Sequence, residues 1–265
     1  MANFVFWNDL HTEFRYFELP ALSDFPAPPD AVLLAGDSAG HPHHLDFAQR
    51  VHDAYGCPVV LVDGNHEFYG HNIDDVRLRE DEILADLHAQ GYAIHLLRGD
   101  AVEIAGVRII GATLWTDFKL YAPVDTLSMP IARRWMADYR KIKIGPVDRY
   151  LEPEDTVAMH EVDRAAIMKL LAEPFDGPTV VMTHHMPAGE LTADQYRDNP
   201  VNPAFASDML GAVSRHDFDA WIFGHTHDSK EMALSEDAPR QQFLSNPRGY
   251  PTEATRFDPL RMLKL

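Results

Sequence analysis

Residues 58–67 read PVVLVDGNHE. A short apolar, β-prone run, Pro58 to Val62, ends without a spacer in turn-forming and metal-capable residues, Asp63-Gly64-Asn65-His66-Glu67. The same construction recurs on either side of it. Phe4-Val5-Phe6-Trp7 runs into Asn8-Asp9-Leu10-His11, and Ala31 to Ala35 runs into Gly36-Asp37. Thr179 to Met182 runs into Thr183-His184-His185, and Ala220 to Phe223 runs into Gly224-His225-Thr226-His227. Runs of four or five such residues bounded by turn signals predict buried strands. Helical patterns lie between them, over Pro42 to Tyr55, Ile73 to Gln90, Pro153 to Leu171 and Ala204 to Arg215. Strands alternating with helices predict an α/β fold with largely parallel pairing. A hairpin pattern over Ala101 to Leu114, turning near Ala105-Gly106, makes the sheet mixed. Ligands in such folds bind beyond the carboxyl ends of the strands. All five polar clusters sit there, which predicts one site built from five loops.

The composition narrows the partners. The chain has 265 residues, 46% hydrophobic and 24% charged, enough to bury a core. No repeat or long linker marks a boundary, so one domain over residues 1–265 is expected. Lys plus Arg is 23 against 41 for Asp plus Glu, a formal charge of -18. That argues against a nucleic-acid partner or an anionic membrane, where phosphate groups need a basic face. A small phosphorylated substrate remains compatible, because bound cations reverse the sign locally. The single cysteine, Cys57, excludes an intramolecular disulfide and any cysteine-built zinc site. No apolar run approaches the ~18 residues of a membrane span, and the start lacks a basic leader. A cytoplasmic protein is expected; oligomeric state is not readable.

The candidate ligands are Asp9, His11, Asp37, Asn65, His184, His225 and His227. Imidazoles, carboxylates and an amide without thiolate suit manganese, iron or zinc, and they outnumber the needs of one tetrahedral ion. Two divalent or trivalent ions sharing a bridging carboxylate would use them all. Asp9 with His11, and His225 with His227, are spaced i, i+2, which in extended backbone points both side chains to one face. Gly36, Gly64 and Gly224 allow tight turns directly after the strands.

In order, the chain carries Asp9-X-His11, Gly36-Asp37, Gly64-Asn65-His66-Glu67, His184 and Gly224-His225-X-His227. This resembles the calcineurin-like metallophosphoesterase superfamily, with its D-x-H, GD, GNH[D/E], H and GHxH blocks, from Asp9 to His227. The resemblance implies a four-layer αββα sandwich with a dinuclear metal site at the strand ends. It implies one metal on Asp9, His11 and His227, the other on Asn65, His184 and His225, with Asp37 bridging. His184 is preferred to His185 because it matches the first histidine of the family's H-H-x-P segment. The implied reaction is hydrolysis of a phosphodiester or phosphomonoester of a small organic phosphate by a hydroxide held between the metals. His66 is then assigned to phosphate binding and leaving-group protonation.

Departures from the pattern bear on the substrate. The second block lacks the aspartate and arginine of the protein Ser/Thr phosphatases, and no tyrosine follows as in purple acid phosphatases. Glu67 and the charge of -18 lean away from the repair nucleases. His66 stands where the lipid A pyrophosphatases carry arginine. The nearest resemblance is to bacterial single-domain metallophosphoesterases of unassigned substrate. His43, among His41, His43 and His44, is a candidate for contact with a phosphoryl oxygen. Residues 114–150 form a candidate cap, with Arg133 and Arg140 gripping substrate. Asn246 and Arg248 follow the last block and are candidates beside the site. A non-catalytic scaffold is the alternative reading, and it normally loses ligands that are all present here.

Overall fold

Each of the five apolar runs becomes a strand. In the computed structural model, which describes residues 1–121, 127–235, 237 and 240–265, the first half contains β1 (Asn3–Trp7), β2 (Ala31–Ala35), α1 (His43–Tyr55), β3 (Val59–Val62), α2 (Ile73–Ala89) and β4 (Ile94–Leu96). Then follow β5 (Asp100–Ile104), β6 (Val107–Ala112), α3 (Ser128–Trp135), α4 (Asp138–Lys141), β7 (Lys143–Ile144), β8 (Arg149–Tyr150) and α5 (Pro153–Ala172). The chain closes with β9 (Thr179–Thr183), α6 (Leu210–Val213), β10 (Ala220–Ile222), β11 (Lys230–Ala233), β12 (Gln242–Ser245) and β13 (Met262–Lys264).

The strands form two mixed sheets. The first has the order β13-β1-β2-β3-β4, parallel except for β13. The second has the order β11-β12-β10-β9-β6-β5, parallel at its centre with an antiparallel strand at each edge. The β5–β6 hairpin is the expected one. Ala105 and Gly106 both take positive φ, 53° and 77°, the backbone a tight two-residue hairpin turn requires.

Layering follows from the alternation of side chains along each strand. Phe4, Phe6, Leu33, Val60 and Val62 face the other sheet and meet Ile109, Val180, Met182, Ile222 and Leu244. Val5, Trp7, Val32, Leu34 and Leu61 face outward and are covered by Leu45 and Val51 of α1 and Leu87 of α2. On the far side, Ile110, Val181, Trp221 and Phe243 are covered by Ile167 and Leu171 of α5 and Val213 of α6. The result is α/β/β/α. Burial on both faces explains why the strands read as unbroken apolar runs. Each large side chain so buried contributes roughly 1.5–3 kcal/mol relative to exposure.

One expected helix is not formed as such. Of Ala204 to Arg215, only Leu210–Val213 is α-helical. Ala206 instead bridges Met186, with Met186 N–H donating to Phe205 O and Ser207 N–H to Met186 O, so the backbone is spent on tertiary pairing. Among the described residues no helix is long and apolar enough to cross a membrane. Cys57 is free and buried.

Candidate active site

The carboxyl ends of β1, β2 and β3 in one sheet, and of β9 and β10 in the other, deliver the seven candidate ligands. The chain turns sharply at once after each strand. Asp9, His11, Asp37, His225 and His227 have φ of 50°, 45°, 53°, 71° and 52°, and are five of the nine non-glycine residues with positive φ among those described. Such backbone is unfavourable for branched L-residues and gathers where function demands it. The two i, i+2 pairs are therefore not extended, as their spacing had implied. Left-handed residues keep both side chains over the strand ends. Cross-loop bonds hold the turns: Asp9 N–H to Gly36 O at 3.1 Å, His11 N–H to Asp37 O at 3.0 Å and His225 N–H to Asp9 Oδ1 at 3.0 Å.

The glycines serve close approach more than turning. Gly36 has φ of 83°, but no positive φ occurs at Gly64 or Gly224. A Cβ at Gly64 would overlap Asp37 Oδ1, and one at Gly224 would lie 2.9 Å from both Ala35 O and Asp9 Oδ2.

Asp9, His11 and His227 converge in one group. His11 Nδ1 faces Glu13 Oε1 at 3.1 Å, and His227 Nδ1 faces Glu253 Oε2 at 2.5 Å. A carboxylate only accepts, so each Nδ1 carries its proton. The two Nε2 atoms then face each other across 2.9 Å, with room for at most one proton between them. Asp9 Oδ1 lies 3.5 Å from His227 Nε2. Against the opposing effect of burial, Asp9 and Glu253 raise His227 to about 9. The group thus traps a positive charge, and a metal ion would replace the proton.

Asp37, His184 and His225 form the second group. His184 is fully buried, and its Nδ1 donates to Ala35 O at 3.0 Å. That turns Nε2 toward Asn65 Oδ1 at 3.1 Å and Asp37 Oδ1 at 3.5 Å. Asn65 is oriented by its other end: Nδ2 donates to Asp138 Oδ1 at 2.8 Å and to Tyr69 Oη at 3.0 Å. His225 Nε2 is buried without a hydrogen-bond partner among the described residues. Asp37 lies between the groups, with Oδ2 3.7 Å from His11 Nε2. Paired lone-pair atoms, an orphaned imidazole nitrogen and carboxylates behind the ring N–H groups fit two metal ions, with Asp37 placed to be shared.

His66 stands at the edge. Its backbone N–H donates to Asp37 Oδ1 at 2.9 Å, Nδ1 faces Glu13 Oε1 at 3.0 Å, and Nε2 faces Tyr250 Oη at 2.9 Å. Burial works against its positive form, but Asp37 and Glu13 outweigh it and raise the pKa. His185 is buried against Thr113 O and falls to about 3, because burial and His184 disfavour its charge. It is a neutral neighbour of the candidate ligands.

The remaining candidates lie elsewhere. His43 is 73% exposed and pairs with Asp46, while His41 and His44 turn toward Glu80. Arg133 pairs with Glu152 at 2.8 Å, and Arg140 donates to the carbonyls of Arg134 and Trp135. Asn246 is fully buried and ties Phe6 O to Asp258. Arg248 donates to the carbonyls of Leu10, Arg15 and Tyr16, bracing the loop that carries His11 and Glu13. Residues 122–126 of the expected 114–150 cap lie outside the described residues.

Several side chains that touch the candidate site escaped the sequence reading: Glu13, Tyr69, Asp138, Tyr250 and Glu253. Only Glu13 had a local signal, continuing the alternation Asp9-X-His11-X-Glu13. The candidate ligands open into a cavity of about 460 Å³, walled by His66, Trp135, Met136, Met186, Phe205 and Tyr250 among others. The 114–150 segment therefore reaches the site through Trp135, Met136 and Asp138 rather than through its arginines.

Two stacked mixed sheets between helices, with an Asp/His/Asn site at their strand ends, define a metallophosphoesterase sandwich. The chain belongs to the calcineurin-like phosphoesterase family, whose model matches residues 2–229, and is a phosphoric ester hydrolase by that membership. No curated protein matches it significantly. Among solved structures it is similar to phosphopantetheinyl hydrolase from Mycobacterium tuberculosis, with TM-score 0.65, 18% identity, and 94% of this chain and 90% of that one covered. It is also similar to a dimetal phosphatase from Danio rerio, with TM-score 0.48, 15% identity, and 92% and 86% covered.

Proposed function

We propose that the protein is a dinuclear metal-dependent phosphoesterase acting on a small organic phosphate, with manganese, iron or zinc in the two groups. One observation carries this reading. Two pairs of ligand atoms face each other at 2.9 Å and 3.1 Å, each held in place by acceptors on its far side. Bound metals would supply a water nucleophile near neutral pH and positive charge for the phosphoryl oxygens. The chain's own residues do the rest. His66, oriented by Glu13 and aimed at Tyr250, holds the proton that the departing alkoxide needs. Asp138 and Tyr69 keep the Asn65 oxygen, not its amide nitrogen, turned inward.

The cavity wall supports a narrower substrate class. No lysine or arginine occurs among its described lining residues, whereas Trp135, Met136, Met186, Tyr196, Val201 and Phe205 offer apolar surface. A second phosphate would find no guanidinium to grip it. This favours a single phosphoryl group on an uncharged, partly apolar leaving group, over nucleoside polyphosphates. A phosphopantetheinyl ester, the group named for the structural neighbour, meets those terms and belongs in the substrate panel. The single, buried Cys57 fits a reducing, cytoplasmic setting.

The test pairs metal content with turnover. Purified protein is analysed for metal, then assayed with manganese against a diester and a monoester of the same nitrophenol. About two ions in these groups and chelator-sensitive hydrolysis are expected. Absence of turnover with manganese, iron and zinc alike would move the reading to a non-catalytic scaffold.

A further inference from the structure

A second polar cluster, which the reaction does not use, lies between α1, α2 and the end of β3. His44 stands on α1, Glu80 on α2, His41 in the turn entering α1, and Asp63 directly after β3. The side chains of His44, Asp63 and Glu80 are 1%, 1% and 0% exposed, and that of His41 is 10% exposed. His44 Nε2 lies 2.9 Å from Glu80 Oε1 and 3.8 Å from Asp63 Oδ1, and His41 Nδ1 lies 3.7 Å from Glu80 Oε1. These four atoms are all buried without a hydrogen-bond partner among the described residues. The 2.9 Å approach is close in distance but off-line in angle.

Arg98 explains the far side of the cluster only. It donates to Glu80 Oε2 at 2.6 Å and Asp81 Oδ1 at 2.7 Å, and lies 3.7 Å from Asp63 Oδ2. The other oxygen of each carboxylate is left turned toward the histidines. Leaving four such atoms unpaired in a protein interior is costly. An ordinary imidazolium–carboxylate pair would line up N–H with oxygen. Off-line donors, with the atoms of His41, His44 and Glu80 all within 4.8 Å of one another, are instead what one ion with bonds of about 2.0–2.2 Å requires.

We propose that His41, His44 and Glu80 bind a further divalent cation, separate from the dinuclear pair. Two imidazoles and one carboxylate, with no thiolate, make a set suited to zinc, with the fourth position left to water. The ion joins the start of α1 to α2, with Asp63 beside His44 and two residues before Asn65, and so acts as a structural ion behind the loop that carries Asn65 and His66. The proposal does not depend on the dinuclear reading, since it uses none of the same side chains.

The test uses the full-length protein loaded with three equivalents of zinc, desalted and crystallised. Anomalous diffraction at the zinc edge should give a peak bonded to His44 Nε2 and Glu80 Oε1. No peak there, with the two side chains in direct contact, overturns the proposal whatever the map shows at Asp37. In solution, Glu80→Gln should retain one zinc fewer per chain than the wild type. An unchanged zinc content also overturns it, and the wild-type map decides if the variant does not fold.

Discussion

Glu67 is where the site's backbone is held, and replacing it with glutamine measures how firmly. The side chain is 1% exposed. Its Oε2 accepts from Gly64 N–H at 2.8 Å and Asp37 N–H at 3.1 Å, and Oε1 accepts from Ser38 N–H at 2.9 Å. One carboxylate thus joins the loop carrying Asp37 to the loop carrying Asn65. Glutamine keeps the volume but has a single acceptor oxygen. With that oxygen at the Oε2 position, two N–H groups stay paired and the amide NH₂ confronts the third. Stranding one buried donor costs about 1–3 kcal/mol. Burial, and then Asp37 and Asp63, push the Glu67 carboxyl pKa well up, so losing the charge recovers part of that cost. A net loss of about 1–2 kcal/mol follows from the same range. At roughly 2–4 °C per kcal/mol for a chain of this size, Tm should fall by about 2–8 °C. Calorimetry on metal-free protein reads the effect without interference from metal binding. A Tm equal to or above that of the wild type would refute the reasoning, because the buried charge would then cost more than its three hydrogen bonds return.

Three other outcomes follow. His66→Asn should keep both metals of the dinuclear site, while turnover of an alkyl ester falls by about 10²–10⁴; near-normal rates on that poor leaving group would remove its assigned role. Gly64→Ala should lose metal, since the new Cβ overlaps Asp37 Oδ1, at a stability cost of about 1–3 kcal/mol; unchanged metal content by elemental analysis would contradict it. Burial raises Asp163 to about 6, against the opposing effects of the Leu114 N–H and Arg77. The folded state then binds more protons than the unfolded state between about pH 4 and 6, so this group's contribution to stability falls as pH rises through that window. Asp163→Asn keeps an acceptor for Leu114 N–H, so its Tm should gain on the wild type between pH 4 and pH 7.5. A constant difference would exclude the effect.

The strands and the candidate metal ligands were legible because both are written locally. A strand buried on two faces must be apolar throughout, as Val59 to Val62 and Val180 to Met182 are. A side chain that must stand on its end follows within a few residues, as those of the candidate ligands Asp9, Asp37, Asn65, His184 and His225 do. The helix expected over Ala204 to Arg215 failed because Ala206 found a partner at Met186, and propensity yields to tertiary pairing. Arg133 and Arg140 drew attention as a charge run, but a run does not say which way a short helix faces. The packed segment turns Trp135, Met136 and Asp138 toward the cavity and its arginines toward Glu152 and local carbonyls.

By itself, the sequence determined the α/β class, the strand ends that form the site, and the residues able to hold metal there. Hydrophobic period and turn chemistry act over a few neighbours, so they can be read in one dimension. Only the tertiary structure decided how those side chains are aimed. Glu13 meets His66 across 53 residues, Asp138 meets Asn65 across 73, and Tyr250 meets His66 across 184. Those meetings depend on how two sheets stack and on which faces of the intervening segments turn inward, and that packing is set by the whole chain at once.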